Sequence, residues 1–411
     1  MSVHDPRQAI ELLRDHLATH NKPICFLFGA GTSSSVNIAA AGSTPAFTPL
    51  IPAIDELTRE CANAVAGLGE TFSEAWARLV RECTLAEVDP HIENILSRIR
   101  TKMMALGTGD SLLGLDAAGM ADAENEIRKV IVKCTAPAEA TIPADLPHHT
   151  FARWVRHATR KQAIEVFTTN YDILLERSLE YERVPVFDGF VGAWQPYFHA
   201  EALESEETLP GPQFVRLWKI HGSINWMERE IAMARRVVRI SGKADSDGTM
   251  VFPSQQKYDE SRKQPYQALM DRLSAVLARD GALLVACGYS FGDEHINARM
   301  LSVLERRPLS HVIALRYSDL PANDPIVKLA SSYSNLMILG PNAGVLGGRW
   351  GEWRLTESLD DRARDFFAPA FRLDAVPTSG TPSVTGRLIL GDFNSFCSFL
   401  STMVTSQRKA S

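Results

Sequence analysis

Four short stretches place small, polar or ionisable residues directly after apolar runs, where a strand that ends would leave them exposed to a ligand. The first is Gly29-Ala30-Gly31-Thr32-Ser33. Small residues here let the backbone approach a ligand, and a helix start presents free N–H groups to phosphate, although a tight turn with no ligand would use similar residues. In the second, Thr168-Thr169-Asn170-Tyr171-Asp172, an amide and a carboxylate sit where open α/β sheets bind ligands; both residue types also serve as helix caps. The third, Leu217-Trp218-Lys219-Ile220-His221-Gly222-Ser223, ends in an imidazole that can exchange a proton near neutral pH or simply be a hydrogen-bonded structural residue. In the fourth, Cys287 through Asn297, Gly288 and Gly292 permit a close turn, while Ser290 and Asp293 could bond ribose or phosphate oxygens, or Asp293 could cap a helix.

The elements that would carry these residues are legible as apolar runs at 24–28, 163–167, 282–287, 311–315 and 335–339, each of strand length and apolar on both faces. Helix-length segments at 173–182, 266–278 and 294–305 alternate with them, which predicts an α/β fold with a Rossmann-like doubly wound parallel sheet. The stretch from Phe28 to Ala163 far exceeds a single crossover, so an inserted helical subdomain is expected, with helices near 52–66, 70–82, 90–105 and 121–134. The expected organisation is a ligand-binding domain from 1–50 and 149–340, a helical insertion at 51–148 and a C-terminal extension at 341–411. In that extension the Pro- and Gly-rich 340–386 reads as an irregular linker before a last strand and helix. The acidic 201–207 and the basic 228–248 read as solvated surface insertions.

With 411 residues, 45% of them hydrophobic and 22% charged, the chain can bury a large core. A formal net charge of -6 supplies no general field for a nucleic-acid backbone, so direct nucleic-acid binding is not expected. Asp5-Pro6 before Ile10, Leu13 and Leu17 predicts a capped amphipathic helix and not a signal peptide, and no apolar run is long enough to span a membrane. A cytoplasmic protein with reduced thiols is expected. Hydride transfer is disfavoured because the third glycine of a dinucleotide fingerprint is missing, and no ATPase phosphate loop occurs.

Taken in order, GAGTS, TTNYD, KIHGS and GYSFGDEHIN resemble the sirtuin superfamily, specifically its bacterial defence-associated branch. The resemblance implies a Rossmann-like NAD domain in which Gly29, Ala30, Gly31, Thr32 and Ser33 hold the diphosphate and nicotinamide ribose. It implies Asn170 and His221 as the catalytic pair, with Asp172, Gly288, Ser290 and Asp293 at the bound dinucleotide. Protein deacylases of this superfamily carry a zinc module with two Cys pairs; no Cys-x-x-Cys occurs here, so no zinc and no other metal is expected. The branch so resembled hydrolyses NAD as an antiviral response, forms homo-oligomers and in some systems works beside a HerA-type hexameric ATPase. A non-catalytic sensor of NAD or ADP-ribose and a sirtuin-type deacylase are the competing expectations.

Overall fold

A computed structural model describes residues 2–40, 42–231, 234–241, 264–355, 367–374 and 385–408. Its centre is one large, mostly parallel sheet. The strands are β1 (Val3–His4), β2 (Ile24–Phe28), β3 (Glu165–Thr168), β4 (Val186–Phe187), β5 (Val215–Lys219), β6 (Leu283–Cys287), β7 (His311–Leu315), β8 (Leu336–Leu339), β9 (Ala343–Leu346) and β10 (Arg349–Trp353). They run side by side in the order β1-β10-β9-β8-β7-β6-β2-β3-β5-β4. Only the pairings of β8 with β9 and of β9 with β10 are antiparallel.

The continuous apolar character of the central strands follows from burial on both faces. Alternate residues of β2 divide between two cores, Ile24, Phe26 and Phe28 to one side and Cys25 and Leu27 to the other. On the first face pack α1 (Pro6–Ala18), α7 (Pro147–His157), α8 (Leu174–Tyr181) and α12 (Phe393–Arg408); on the second pack α9 (Tyr266–Leu277), α10 (Glu294–Arg306) and α11 (Pro325–Ala330). This is a three-layer, Rossmann-like architecture. The first helix starts as its sequence dictates: the Asp5 side chain accepts a hydrogen bond from the Arg7 N–H ahead of Pro6.

Between β2 and β3 lie the short α2 (Ala30–Ser34) and four longer helices, α3 (Ile54–Ala66), α4 (Glu70–Leu85), α5 (Ile92–Ala105) and α6 (Ala117–Thr135). The four share a core of their own, which also takes in Ile224 and is packed by Tyr171 and Ile173. The insertion therefore rests on the segments that follow Asn170 and His221. No described helix is long and apolar enough to cross a membrane.

Two sequence expectations need correction. Residues 343–353 are not linker but the hairpin β9–β10, and α12 buries Phe393, Phe396, Phe399 and Leu400 in the first core. The glycines that disguise the hairpin have a packing role: a side chain at Gly344 would strike the Trp353 ring at 2.4 Å. The acidic 201–207 is not a freely solvated loop either, because Ala202 and Leu203 are buried and Glu206 pairs with arginines. The basic insertion begins as a hairpin, Trp226–Ile231 with Ala234–Arg239; its end, residues 242–248 including Lys243, lies outside the described residues.

Candidate active site

All four motifs leave the sheet at one level. Phe28 lies opposite Cys287 and Thr168, and Thr168 opposite Lys219, so these four residues form a single row across four parallel strands. The ladder continues one step beyond, as the N–H groups of Gly29, Thr169 and Ile220 donate to the carbonyls of Cys287, Phe28 and Thr168. Asn170 and His221 are therefore each the second residue past a strand end, on neighbouring strands at the carboxyl edge.

The first and fourth motifs pack backbone against backbone. A side chain at Gly29 would meet the Gly288 carbonyl oxygen at 2.4 Å, one at Gly31 would meet the Gly288 Cα at 2.7 Å, and one at Gly288, whose φ is +65°, would meet the Thr32 nitrogen at 2.6 Å. The Gly31 N–H donates to the Gly288 carbonyl and the Thr32 N–H to that of Gly29. Close approach of one loop to another thus accounts for these glycines, and three of the first loop's amides are already bonded within the protein.

Asn170 is buried and spans the first two motifs. Its Nδ2 donates to the Gly29 carbonyl at 3.0 Å, to Thr32 Oγ1 at 3.0 Å and to Ser33 Oγ at 2.8 Å. Ser33 in turn donates to Asp172 Oδ2 at 2.6 Å, while Asp172 Oδ1 accepts from the Leu174 N–H at the start of α8. Asp172 thus does what a capping residue does and also anchors Ser33. No described bond ties the Asn170 side chain to α8, and none engages its Oδ1. From the adjacent strand the buried Lys219 ammonium donates to the Tyr171 and Asp172 carbonyls and to Glu176, which fixes this turn.

His221 is equally buried, and its Nε2 lies 2.9 Å from Asp293 Oδ2. The other Asp293 oxygen accepts from the N–H groups of His295 and Ile296 and so caps α10. With an ionised Asp293 as acceptor, the neutral ring carries its proton on Nε2 and keeps a lone pair on Nδ1. Because β6 is three strands from β5, the segment 288–293 must cross over the ends of β2 and β3 to make this contact. Tyr289 stiffens the segment by bonding Asn297 at 2.9 Å, whereas Ser290 is exposed and bonds only the Gly292 N–H among the described groups.

A cavity of about 80 Å3 opens between the carboxyl edge and the helical insertion. Ala30, Ser33, Asn170 and Asp172 line it from the sheet side, Ile54, Glu93 and Thr135 from the helices. One water needs on the order of 10–15 Å3 on this measure, so the space suits a single small ring and not a whole dinucleotide. His221, Gly288, Ser290 and Asp293 do not line it. Sequence reasoning missed three groups here. Glu93 sits in the first turn of α5 like many solvated glutamates; burial, with Glu93 nearby, pushes the Tyr171 phenol well above its usual range. Lys219 sat inside an apolar run. His148 on α7 is fully buried, which lowers its pKa to about 4 against the opposing pull of Asp172.

Residues 164–336 match the SIR2-like domain family. The match takes in Asn170, Asp172, His221, Gly288, Ser290 and Asp293, leaves Gly29 to Ser33 and the helical insertion outside, and supports membership of the sirtuin superfamily. A SIR2-like domain fits NAD-related chemistry in general. No curated protein matches the chain.

Proposed function

We propose that this chain hydrolyses NAD to nicotinamide and ADP-ribose, with residues 1–50 and 149–340 handling the dinucleotide, 51–148 a helical insertion beside it and 341–411 a C-terminal extension. The observation that carries the reading is that Asn170 and His221 each follow by two residues the end of one of two neighbouring strands at the carboxyl edge, each held from a different motif.

The bond to be broken joins a positively charged pyridine ring to ribose. As it breaks, its electron pair neutralises the leaving nicotinamide, so strong acid assistance is unnecessary; the demanding task is to stabilise an oxocarbenium-like sugar. In this reading Asn170 positions the ribose hydroxyls and the attacking water through its amide. His221 takes the water's proton on Nδ1, with Nε2 steadied by Asp293, and returns it to solvent. Asp172 holds Ser33, and through it the Gly29 to Ser33 loop that would receive the diphosphate.

A cavity near 80 Å3 must widen to admit the substrate. The insertion helices form its far wall, while the 288–293 segment lies outside it against His221; in this reading displacing that segment lets His221 and Asn170 face one sugar carbon. From the resemblance stated above, the reading extends to a cytoplasmic homo-oligomer that depletes NAD as an antiviral response, with a HerA-type ATPase as partner.

One observation favours a second reading. The Asn170 amide hydrogens are committed to the protein's own loop, as they would be in a module that binds NAD or ADP-ribose without cleaving it. Incubating the purified chain with NAD and separating the products decides between them: a hydrolase releases nicotinamide and ADP-ribose in equal amounts, and a sensor leaves the dinucleotide intact.

A further inference from the structure

At the opposite, amino-terminal end of β3 and β5 lies an ion cluster that the proposed chemistry does not use. Glu165, completely buried, is shared by three guanidiniums: Arg216 at 3.0 Å, Arg279 at 3.3 Å and Arg272, with Trp218 Nε1 donating to its second oxygen at 2.8 Å. The guanidiniums outweigh burial and hold the Glu165 carboxyl below its usual range. Glu165 is thereby saturated.

The only other carboxylate described in the cluster is Glu206, which reaches in from the acidic 201–207 turn. It pairs with Arg216 at 2.8 Å, with Arg272 at 2.5 Å and with Arg279, yet its side chain is 51% exposed. Beside it opens a cleft of about 420 Å3 lined by Lys161, Gln162, Arg216, Arg279 and Glu206. Three guanidiniums thus meet two carboxylates, with the exposed Lys161 beside them, and two of the guanidiniums are almost wholly removed from water. Excess buried positive charge is costly unless an anion completes it, and planar guanidiniums in a fork suit tetrahedral oxyanions as well as carboxylates.

We propose that this cleft is a binding site for a phosphate-bearing anion, and that Glu206 is a tethered stand-in which the anion displaces. The half-exposed Glu206 side chain can rotate outward while the buried Ala202 and Leu203 keep the turn seated, so the arginines stay in place while their outer valences change partner. The site is independent of the carboxyl edge and of the NAD reading, because it sits at the far end of the same strands.

Calorimetric titration of the full chain with inorganic pyrophosphate, at fixed ionic strength, tests the proposal. Saturable binding is expected. Glu206→Gln, which removes the competing charge, should tighten it on the order of tenfold. Lys161→Ala, at an exposed position that the fold does not need, should weaken it several-fold with an unchanged melting temperature, and Arg279→Gln should remove it. Absence of binding to both the parent and Glu206→Gln overturns the proposal. So does equal affinity of the two, or binding indifferent to Lys161 and Arg279, which would put the anion elsewhere.

Discussion

His221 Nε2 and Asp293 Oδ2 lie 2.9 Å apart although 72 residues separate them, and the same carboxylate caps α10. One side chain therefore ties the end of β5 to the start of a helix that follows β6, across two intervening strands. Asn at this position can still cap the helix but no longer offers the imidazole an anionic acceptor. Asp293→Asn should leave melting nearly unchanged, within ~1 kcal/mol, and lower NAD turnover about a hundredfold or more. Parent-like turnover would mean that Asp293 is a cap and nothing else.

Gly288→Ala should destabilise the fold. Its φ of +65° disfavours any side chain, and the added carbon would lie 2.6 Å from the Thr32 nitrogen, a backbone atom that cannot rotate away. Together these effects should cost at least ~2 kcal/mol in denaturant unfolding. A change below ~0.5 kcal/mol would show that the two loops do not pack this closely.

The buried His148 sets an acid limit. Its folded pKa near 4 lies below the ordinary 6.5, so the unfolded chain binds the proton more readily. The stability that a neutral His148 contributes is complete above about pH 6.5 and is lost as pH falls towards 4, as much as ~3 kcal/mol in all. Unfolding free energies between pH 7.5 and 4.5 should fall less steeply in His148→Phe, whose ring can keep the contact with Phe393 at a 4.9 Å centroid spacing. Identical slopes for variant and parent would remove His148 from the account.

The parallel sheet is legible because burial on both faces leaves β2, β6, β7 and β8 as unbroken apolar runs. The hairpin β9–β10 is not, since Gly344, Gly347 and Gly348 read as loop signals while one of them makes room for Trp353. Asn170 and His221 are marked by position, each just past a strand. What holds them is invisible locally: Gly288 receives Gly29 and Gly31 from more than half the chain away, and Asp293 reaches His221 across two other strands. Glu206 shows the same limit, for nothing in an acidic run identifies the one glutamate that enters an arginine cluster.

The central claim is that Asn170 and His221 act together on the bond between nicotinamide and ribose. The most direct measurement is nicotinamide release from NAD by the parent, Asn170→Ala and His221→Ala, each with its NAD affinity and melting temperature determined. The account predicts release by the parent and a loss of at least a hundredfold, about 3 kcal/mol, in both variants, which remain folded and still bind NAD. Release at the parent rate from either folded variant would contradict it.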